Sequence, residues 1–147
     1  MAATRFAEVT WAGDLANGAG SINDVTSGAF TRLPVTWASR VEASEGRTSP
    51  EELLAAAHAS CFSMALGRRM ARAGTPSTRL DVRAEVTIEL VDGGWKVTRS
   101  HLTVRGQVPG LDAAAFLEHA QGAKEGCPIS QALKGNVEVT MDAALVE

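Results

Sequence analysis

Cys61 and Cys127 are the only cysteines of the chain, and they lie 66 residues apart. Cys61 falls inside an apolar, almost uncharged stretch, and Cys127 stands directly before a proline, where a second helix would begin. A thiol inside an apolar helix and a thiol at a helix N-terminus form a pair suited to dithiol and disulfide chemistry. No other residues of the sequence offer a comparable reactive pair.

The residues next to Cys127 favour an acidic thiol at this position. If Cys127 is an N-cap, Pro128 takes the first helical position, where proline is common. A thiolate there would face free backbone N–H groups and the positive end of the helix dipole, which lowers its pKa. The alternative is a tight Gly126-Cys127-Pro128 loop in which the thiol only packs.

The residues around Cys61 favour a buried, inert thiol, because apolar surroundings raise a thiol pKa. Activation would need a cation from elsewhere, and Arg40 is the first candidate because it is isolated among apolar and small residues. Arg47, in a polar segment, is the second. His58, one turn before Cys61, could act as a base or a hydrogen-bond donor, although a lone histidine on an apolar helix more often packs.

Composition limits the classes of function. With 147 residues and 45% hydrophobic content, the chain should form one globular domain over residues 1–147. A net charge of −3 gives no broad basis for nucleic-acid binding. We expect a cytoplasmic protein without a membrane segment, because no secretion signal is visible and the longest apolar run, Leu53–Leu66, is too short to span a bilayer. Neither a metal nor a cofactor is expected, since Cys-x-x-Cys and His-x-x-x-His patterns are missing.

A long helix is the dominant predicted element. Ser49 is a good N-cap, Pro50 fits the first helical position and Glu52 completes a capping box, while Gly74 ends the helix. Its middle is apolar on all sides and should therefore be buried on all sides. A partner helix from a second copy of the chain would complete that burial.

The other predicted elements are strands and two shorter helices, with a polar loop over residues 40–49. Asp112 caps a helix to about Glu125, and a short helix follows Cys127 through Leu133. The predicted strands are Arg5–Trp11, Ser21–Val25, Ala29–Thr36, Leu80–Leu90, Trp95–Val104 and Val137–Val146. This order predicts an α+β fold with antiparallel sheets packed around a long buried central helix.

The two cysteine segments, Thr48–Leu66 (TSPEELLAAAHASCFSMAL) and Ala123–Leu133 (AKEGCPISQAL), closely resemble the OsmC/Ohr family of thiol peroxidases. The segments WAGD at Trp11–Asp14, GAG at Gly18–Gly20 and VPGLDA at Val108–Ala113 are similar to the OsmC branch. The resemblance covers nearly the whole chain. It implies an intertwined homodimer that reduces organic hydroperoxides at sites on the subunit interface.

The resemblance also implies roles for individual residues. Cys61 would be the peroxidatic thiol and Cys127 the resolving one, which is opposite to the order of acidity that the local sequence favours. Arg40 would hold the Cys61 thiolate, and Glu51 would fix Arg40 through a bidentate pair. Glu52 is the alternative to Glu51, although it already has a capping role. Dithiols carried by lipoyl-bearing proteins are the expected reductants.

Helix geometry constrains how such a site could be assembled. Glu51 and Cys61 are ten residues apart on one predicted helix, or about 15 Å along its axis. We therefore expect Glu51 of one subunit to serve Cys61 of the other. The side chains expected to line an apolar substrate pocket beside Cys61 are Leu54, Ala57, His58, Phe62 and Met64.

Two other classes of function remain open from the sequence. The chain could be a non-catalytic binding or structural dimer with inert thiols. It could also be a thiol sensor whose oxidation is a signal rather than a step of turnover.

Overall fold

The computed structural model describes residues 1–147 and forms two compact units, residues 1–53 and 54–147. Strands and helices are mixed in the order of an α+β protein, which confirms the predicted fold class. The assignment of residues 1–147 to a single domain stays a prediction. No helix combines the length and the apolar character needed to cross a bilayer.

The first unit is built on a small antiparallel sheet in the order β1-β2-β3. Its elements are β1 (Ala7–Ala12), β2 (Ala19–Val25), β3 (Leu33–Val35) and α1 (Trp37–Val41). Every residue of β1 is exposed, including Val9 and Trp11. Ile22 is the only hydrophobic residue of residues 1–53 that is buried. One chain therefore leaves much of this sheet uncovered.

The third strand predicted over Ala29–Thr36 is present but shorter, as β3, and α1 replaces the first two residues of the loop predicted over residues 40–49. Thr36 is the N-cap, and its hydroxyl accepts a hydrogen bond from the Ser39 backbone N–H at 3.0 Å. The Ser39 hydroxyl accepts one from the Thr36 N–H at 3.0 Å, which completes a capping box. This reciprocal pair ends the strand at Val35 and starts a helix too short to show a periodic pattern.

Helix α2 (Pro50–Arg72) begins in the first unit and continues into the second. Ser49 caps it as predicted, because its hydroxyl accepts a hydrogen bond from the Glu52 N–H at 3.1 Å. From His58 onward its buried residues recur every four residues: His58, Phe62, Leu66 and Met70. On the opposite face Met64 is 71% exposed. Within one chain α2 is thus buried along a stripe only, and its burial by a partner stays a prediction.

The second unit contains a three-stranded sheet in the order β4-β5-β6 and two helices. Its elements are β4 (Arg79–Val91), β5 (Gly94–Gln107), α3 (Ala113–Gly126), α4 (Pro128–Leu133) and β6 (Glu138–Leu145). Strands β4 and β5 form the predicted hairpin, closed by Asp92 and Gly93, both with positive φ.

Strand β6 pairs with β5 in parallel, from Arg99 opposite Glu138 to Gly106 opposite Leu145. This pair departs from the expectation of purely antiparallel sheets. Two parallel neighbours need a crossover connection, and α3 with α4 provides it between the two strands. The segment that carries Cys127 is therefore the crossover of the sheet.

The core of the second unit joins α2, β5 and α3. Leu102 and Val104 of β5 and Phe116 of α3 are fully buried with the α2 stripe. Gly106 of β5 leaves space for the Phe116 ring, because a Cβ atom at this position would lie 2.6 Å from two ring carbons. The ring cannot swing outward without exposing a fully buried side chain.

We expect Gly106→Ala to lower the free energy of unfolding by about 1–3 kcal/mol, because the added methyl group overpacks the core at Phe116. Gly94→Ala is the matched control in the same strand, since its Cβ would meet only the Val91 carbonyl oxygen at 3.8 Å. Urea denaturation of both variants measures the difference. Equal stability of the two variants would contradict the close approach of Gly106 and Phe116.

Candidate active site

The structure brings the two thiols together from positions 66 residues apart in the sequence. Cys61 is half-buried on α2 and packs against the core of the second unit, to which the fully buried Cys127 belongs. The Cys127 side chain acts on the Cys61 thiol by hydrogen bonding and by charge. Both are free thiols, so a disulfide would join two existing neighbours.

Cys127 forms the junction between two helices. Its N–H donates to the Ala123 carbonyl oxygen at 2.8 Å at the end of α3. Its own carbonyl oxygen accepts from the Gln131 N–H at 2.9 Å at the start of α4. Pro128 then takes the first helical position, as the sequence predicted, while the Cys127 side chain makes no capping hydrogen bond. The thiol is directed into the core instead.

Burial is the largest influence on Cys61 and raises the pKa of its thiol. The backbone N–H of Ile129 opposes this effect by hydrogen bonding to the sulfur, and the Cys127 thiol raises the pKa of Cys61 further. Every group that acts on Cys61 in this way lies in the second unit, and none is a cation. A positive group brought near Cys61 would oppose this effect and favour the thiolate.

Arg40 and Glu51 form a bidentate pair in the first unit. The Arg40 Nη2 atom lies 2.7 Å from Glu51 Oε1, and Nε lies 3.1 Å from both carboxylate oxygens. Glu51 is 7% exposed, whereas Glu52 is exposed and gives its N–H to the Ser49 cap. The Arg40 guanidinium also lies over the Trp37 ring, 5.6 Å from its centroid. Charge-assisted pairing and stacking fix the orientation of the guanidinium.

His58 is fully buried between two serine hydroxyls. Its Nδ1 atom lies 2.7 Å from Ser100 Oγ of β5, and Nε2 lies 2.8 Å from Ser130 Oγ of α4. Burial lowers the pKa of the His58 imidazole, so the ring is neutral at neutral pH. A neutral imidazole has one donor and one acceptor, and both are satisfied here.

The side chains predicted to line a substrate pocket are distributed over different faces of α2. Phe62 is fully buried in the core, Leu54 and Ala57 are half-buried, and Met64 is 71% exposed. In a single chain Phe62 and Met64 therefore lie on opposite sides of the helix. No group of His, Cys, Asp or Glu side chains is arranged to hold a metal ion.

Sequence reasoning missed four contributors to these arrangements: Trp37, Ser100, Ile129 and Ser130. Ser130 follows Cys127 by three residues, as His58 precedes Cys61 by three. That spacing was a usable signal once α2 and α4 were known to be neighbours. No neighbouring residue indicates a role for Ser100. It faces the core because alternate residues of a strand share a face, and Leu102 and Val104 face the core.

Comparison with known proteins shows similarity over almost the whole chain. A family model described as OsmC-like protein matches residues 43–142. Peroxiredoxin OsmC of Escherichia coli strain K12 is 42% identical over 135 residues, which cover 92% of this chain and 92% of that protein. The organic hydroperoxide resistance protein OhrA of Bacillus subtilis strain 168 is 34% identical over 108 residues, or 71% of this chain and 73% of OhrA.

Solved structures share the fold. The organic hydroperoxide resistance protein OhrB of Bacillus subtilis superimposes with a TM-score of 0.73 at 28% identity, covering 94% of this chain and 97% of OhrB. An organic hydroperoxide resistance protein of Elizabethkingia anophelis gives 0.74 at 24% identity, covering 99% and 100%. The arrangement of strands and helices is therefore common to these proteins.

The lowered pKa of His58 predicts a dependence of stability on pH. Just below the ordinary histidine pKa of 6.5, His58 is protonated in the unfolded chain but stays neutral in the folded one. The free energy of unfolding should therefore fall as the pH drops from 7 through this range, until the folded imidazole is itself protonated. Urea denaturation of the wild type and of His58→Gln across this range measures the effect. His58→Gln should lose this component, and an unchanged pH slope would contradict the prediction.

Proposed function

This chain belongs to the OsmC-like protein family, and from that premise we propose that it is a cysteine-based peroxidase that reduces organic hydroperoxides to alcohols. The proximity of the Cys61 and Cys127 thiols is the observation that carries the proposal. The names of the relatives, peroxiredoxin OsmC and organic hydroperoxide resistance protein, support the same reaction class.

In the proposed reaction Cys61 is the attacking thiolate. It displaces alkoxide from the hydroperoxide by attacking one peroxide oxygen, so that the O–O bond breaks and Cys61 becomes a sulfenic acid. The alkoxide takes a proton and leaves as an alcohol. The Cys127 thiolate then attacks the Cys61 sulfur, hydroxide leaves and is protonated to water, and a Cys61–Cys127 disulfide forms.

A dithiol returns the enzyme to its starting state. One of its sulfurs attacks the disulfide and forms a mixed disulfide, and its second sulfur closes a ring and releases both cysteines as thiols. Lipoyl-bearing proteins in a reducing cytoplasm are the proposed donors. Apolar side chains around Cys61, including Leu54 and Ala57, would bury the organic part of the substrate and so favour it over hydrogen peroxide.

Arg40 is the proposed cation that keeps Cys61 ionised. A guanidinium stays charged at all relevant pH values, so it can offset the burial that raises the pKa of the Cys61 thiol. Glu51 holds it by the bidentate pair and Trp37 supports its face. The pair is anchored at the first turn of α2, whereas Cys61 lies ten residues further along that helix, about 15 Å away.

We therefore assign each site to two subunits of a homodimer, with Arg40 and Glu51 of one subunit serving Cys61 of the other. A two-fold axis would create two such sites at once. The uncovered face of α2 around Met64 and the exposed apolar residues of β1 supply surface for the interface. Dimer burial of this kind would also meet the sequence expectation of a helix covered on all sides.

Stopped-flow oxidation with cumene hydroperoxide tests the roles of the thiols. Cys61→Ser should abolish the first oxidation step. Cys127→Ser should leave this step in place and accumulate a sulfenic acid that dimedone traps, because no resolving thiol is present. Loss of the first step in Cys127→Ser, with its retention in Cys61→Ser, would reverse the assignment. Repeated turnover with excess peroxide and dithiol excludes both the inert binding dimer and the simple sensor.

Arg40→Gln should slow the first oxidation about 100-fold at neutral pH, because the thiolate loses its electrostatic partner. Raising the pH should recover much of the rate. Arg47→Gln is the matched control, since the Arg47 side chain is 40% exposed and pairs with exposed Glu45, and it should react at the wild-type rate. Equal rates for the two variants would remove Arg40 from the mechanism.

Mixed dimers test which subunit supplies the arginine. A dimer of one Arg40→Gln subunit and one Cys61→Ser subunit contains a single intact combination, Cys61 of the first with Arg40 of the second. If the site is shared, this dimer is active at one of its two sites although both parent homodimers are impaired. An inactive mixed dimer would place Arg40 and Cys61 of the same chain in one site.

A further inference from the structure

The proposed reaction uses neither His58 nor its two serine partners, although all three are buried polar residues. Burying three polar side chains is costly unless each finds a partner, and here the imidazole bridges both hydroxyls. The bridge joins three elements of the second unit: α2 through His58, β5 through Ser100 and α4 through Ser130. Two of these elements also position the thiols, because α2 contains Cys61 and α4 begins directly after Cys127.

Two contacts, which we call rungs, join α2 to the Cys127–Ser130 segment. The polar rung is His58 with Ser130, and the sulfur rung is Cys61 with Cys127. His58 precedes Cys61 by three residues, and Ser130 follows Cys127 by three residues. His58 meets Ser130 while Cys61 meets Cys127, so the two segments run in opposite directions with their rungs about 4.5 Å apart, or three residues of helix. The polar rung therefore fixes the relative height of the sulfur rung.

Helix α4 depends on such an anchor. It contains six residues, far fewer than the roughly 12–15 that an isolated helix needs for even marginal stability. Ser130 is its only buried side chain, and its hydroxyl is held by His58. The ring itself is anchored through Ser100 to β5, the central strand of the sheet.

We propose that His58 is a positioning residue, which holds α4 through Ser130 at the register where Cys127 meets Cys61. The proposal rests on the proposed function for its catalytic consequence, which is a fast attack of Cys127 on the Cys61 sulfenic acid. The backbone N–H of Ile129, which bonds to the Cys61 sulfur, lies between Cys127 and Ser130 and is held by the same anchor. His58 itself transfers no proton in this assignment.

Ser130→Ala removes the polar rung and leaves the ring and its bond to Ser100 intact. Disulfide formation after peroxide addition should slow about 10- to 100-fold, because a small misplacement of a reacting group has effects of this size. The longer-lived sulfenic acid should react with a second peroxide, so that Cys61 sulfinic acid accumulates at peroxide excess. Its mass exceeds that of the thiol by two oxygen atoms, or about 32 Da. The first oxidation, corrected for thiolate fraction, should change far less.

Two further variants separate positioning from stability. Ser100→Ala also leaves one ring nitrogen without a partner, so it should lose about as much stability as Ser130→Ala. Ser100→Ala keeps the hydrogen bond between His58 and Ser130 of α4. Disulfide formation should therefore slow clearly less in this variant than in Ser130→Ala. Ser63→Ala, whose hydroxyl bonds only to the Ala59 carbonyl oxygen at 2.8 Å, controls for a serine change on α2. Resolution rates that follow stability equally in all variants would overturn the proposal.

A peroxide-free measurement keeps this inference distinct from the proposed function. Equilibration with reduced and oxidised glutathione measures the effective concentration of the Cys61 and Cys127 thiols toward each other. Ser130→Ala should lower it about tenfold relative to the Ser63→Ala control. If the wild type shows no peroxidase turnover but this difference persists, the proposed function fails and the positioning role stands. If the effective concentration is unchanged in Ser130→Ala, the positioning role fails.

Discussion

The proposed activity depends on a thiol that is partly removed from water. Burial favours the neutral form of Cys61, yet only its thiolate is a useful nucleophile. The same burial brings Cys61 against the core and against Cys127, so the contact that makes a disulfide accessible is also what makes ionisation unfavourable. A nearby positive charge and a hydrogen bond from an N–H group can both stabilise the Cys61 thiolate. The Ile129 N–H is present within the second unit, and the proposed dimer supplies the charge.

Helix α2 concentrates these requirements in one element. Its first turn holds Glu51 in a bidentate pair with Arg40, its middle carries Cys61, and one of its faces supplies the buried stripe of the core. A straight helix keeps such groups at fixed separations, because each residue adds about 1.5 Å along the axis. A rigid helix cannot fold back to join its own first turn to its middle, and this favours a site assembled from two copies.

The connection between β5 and β6 brings the second thiol into place. A parallel strand pair requires the chain to cross over the sheet, and α3 and α4 make that crossing against the face that α2 also covers. Cys127 lies at the junction of the two crossover helices, where one residue ends α3 and begins α4. The position of Cys127 is thus a consequence of sheet topology. The His58 bridge to Ser100 and Ser130 links that crossover to both α2 and the central strand.

The features that arise from neighbouring residues could be predicted from the sequence. The Ser49 cap, the hairpin at Asp92 and Gly93 and the proline start of α4 each depend on a few adjacent side chains and backbone angles. The two cysteine segments were likewise distinctive enough to indicate the family. The tertiary structure was needed to establish that β6 runs parallel to β5 and that Ser100 and Ser130 enclose His58. These contacts join residues 39 to 72 positions apart, where the outcome is set by packing of whole elements and no local pattern encodes it.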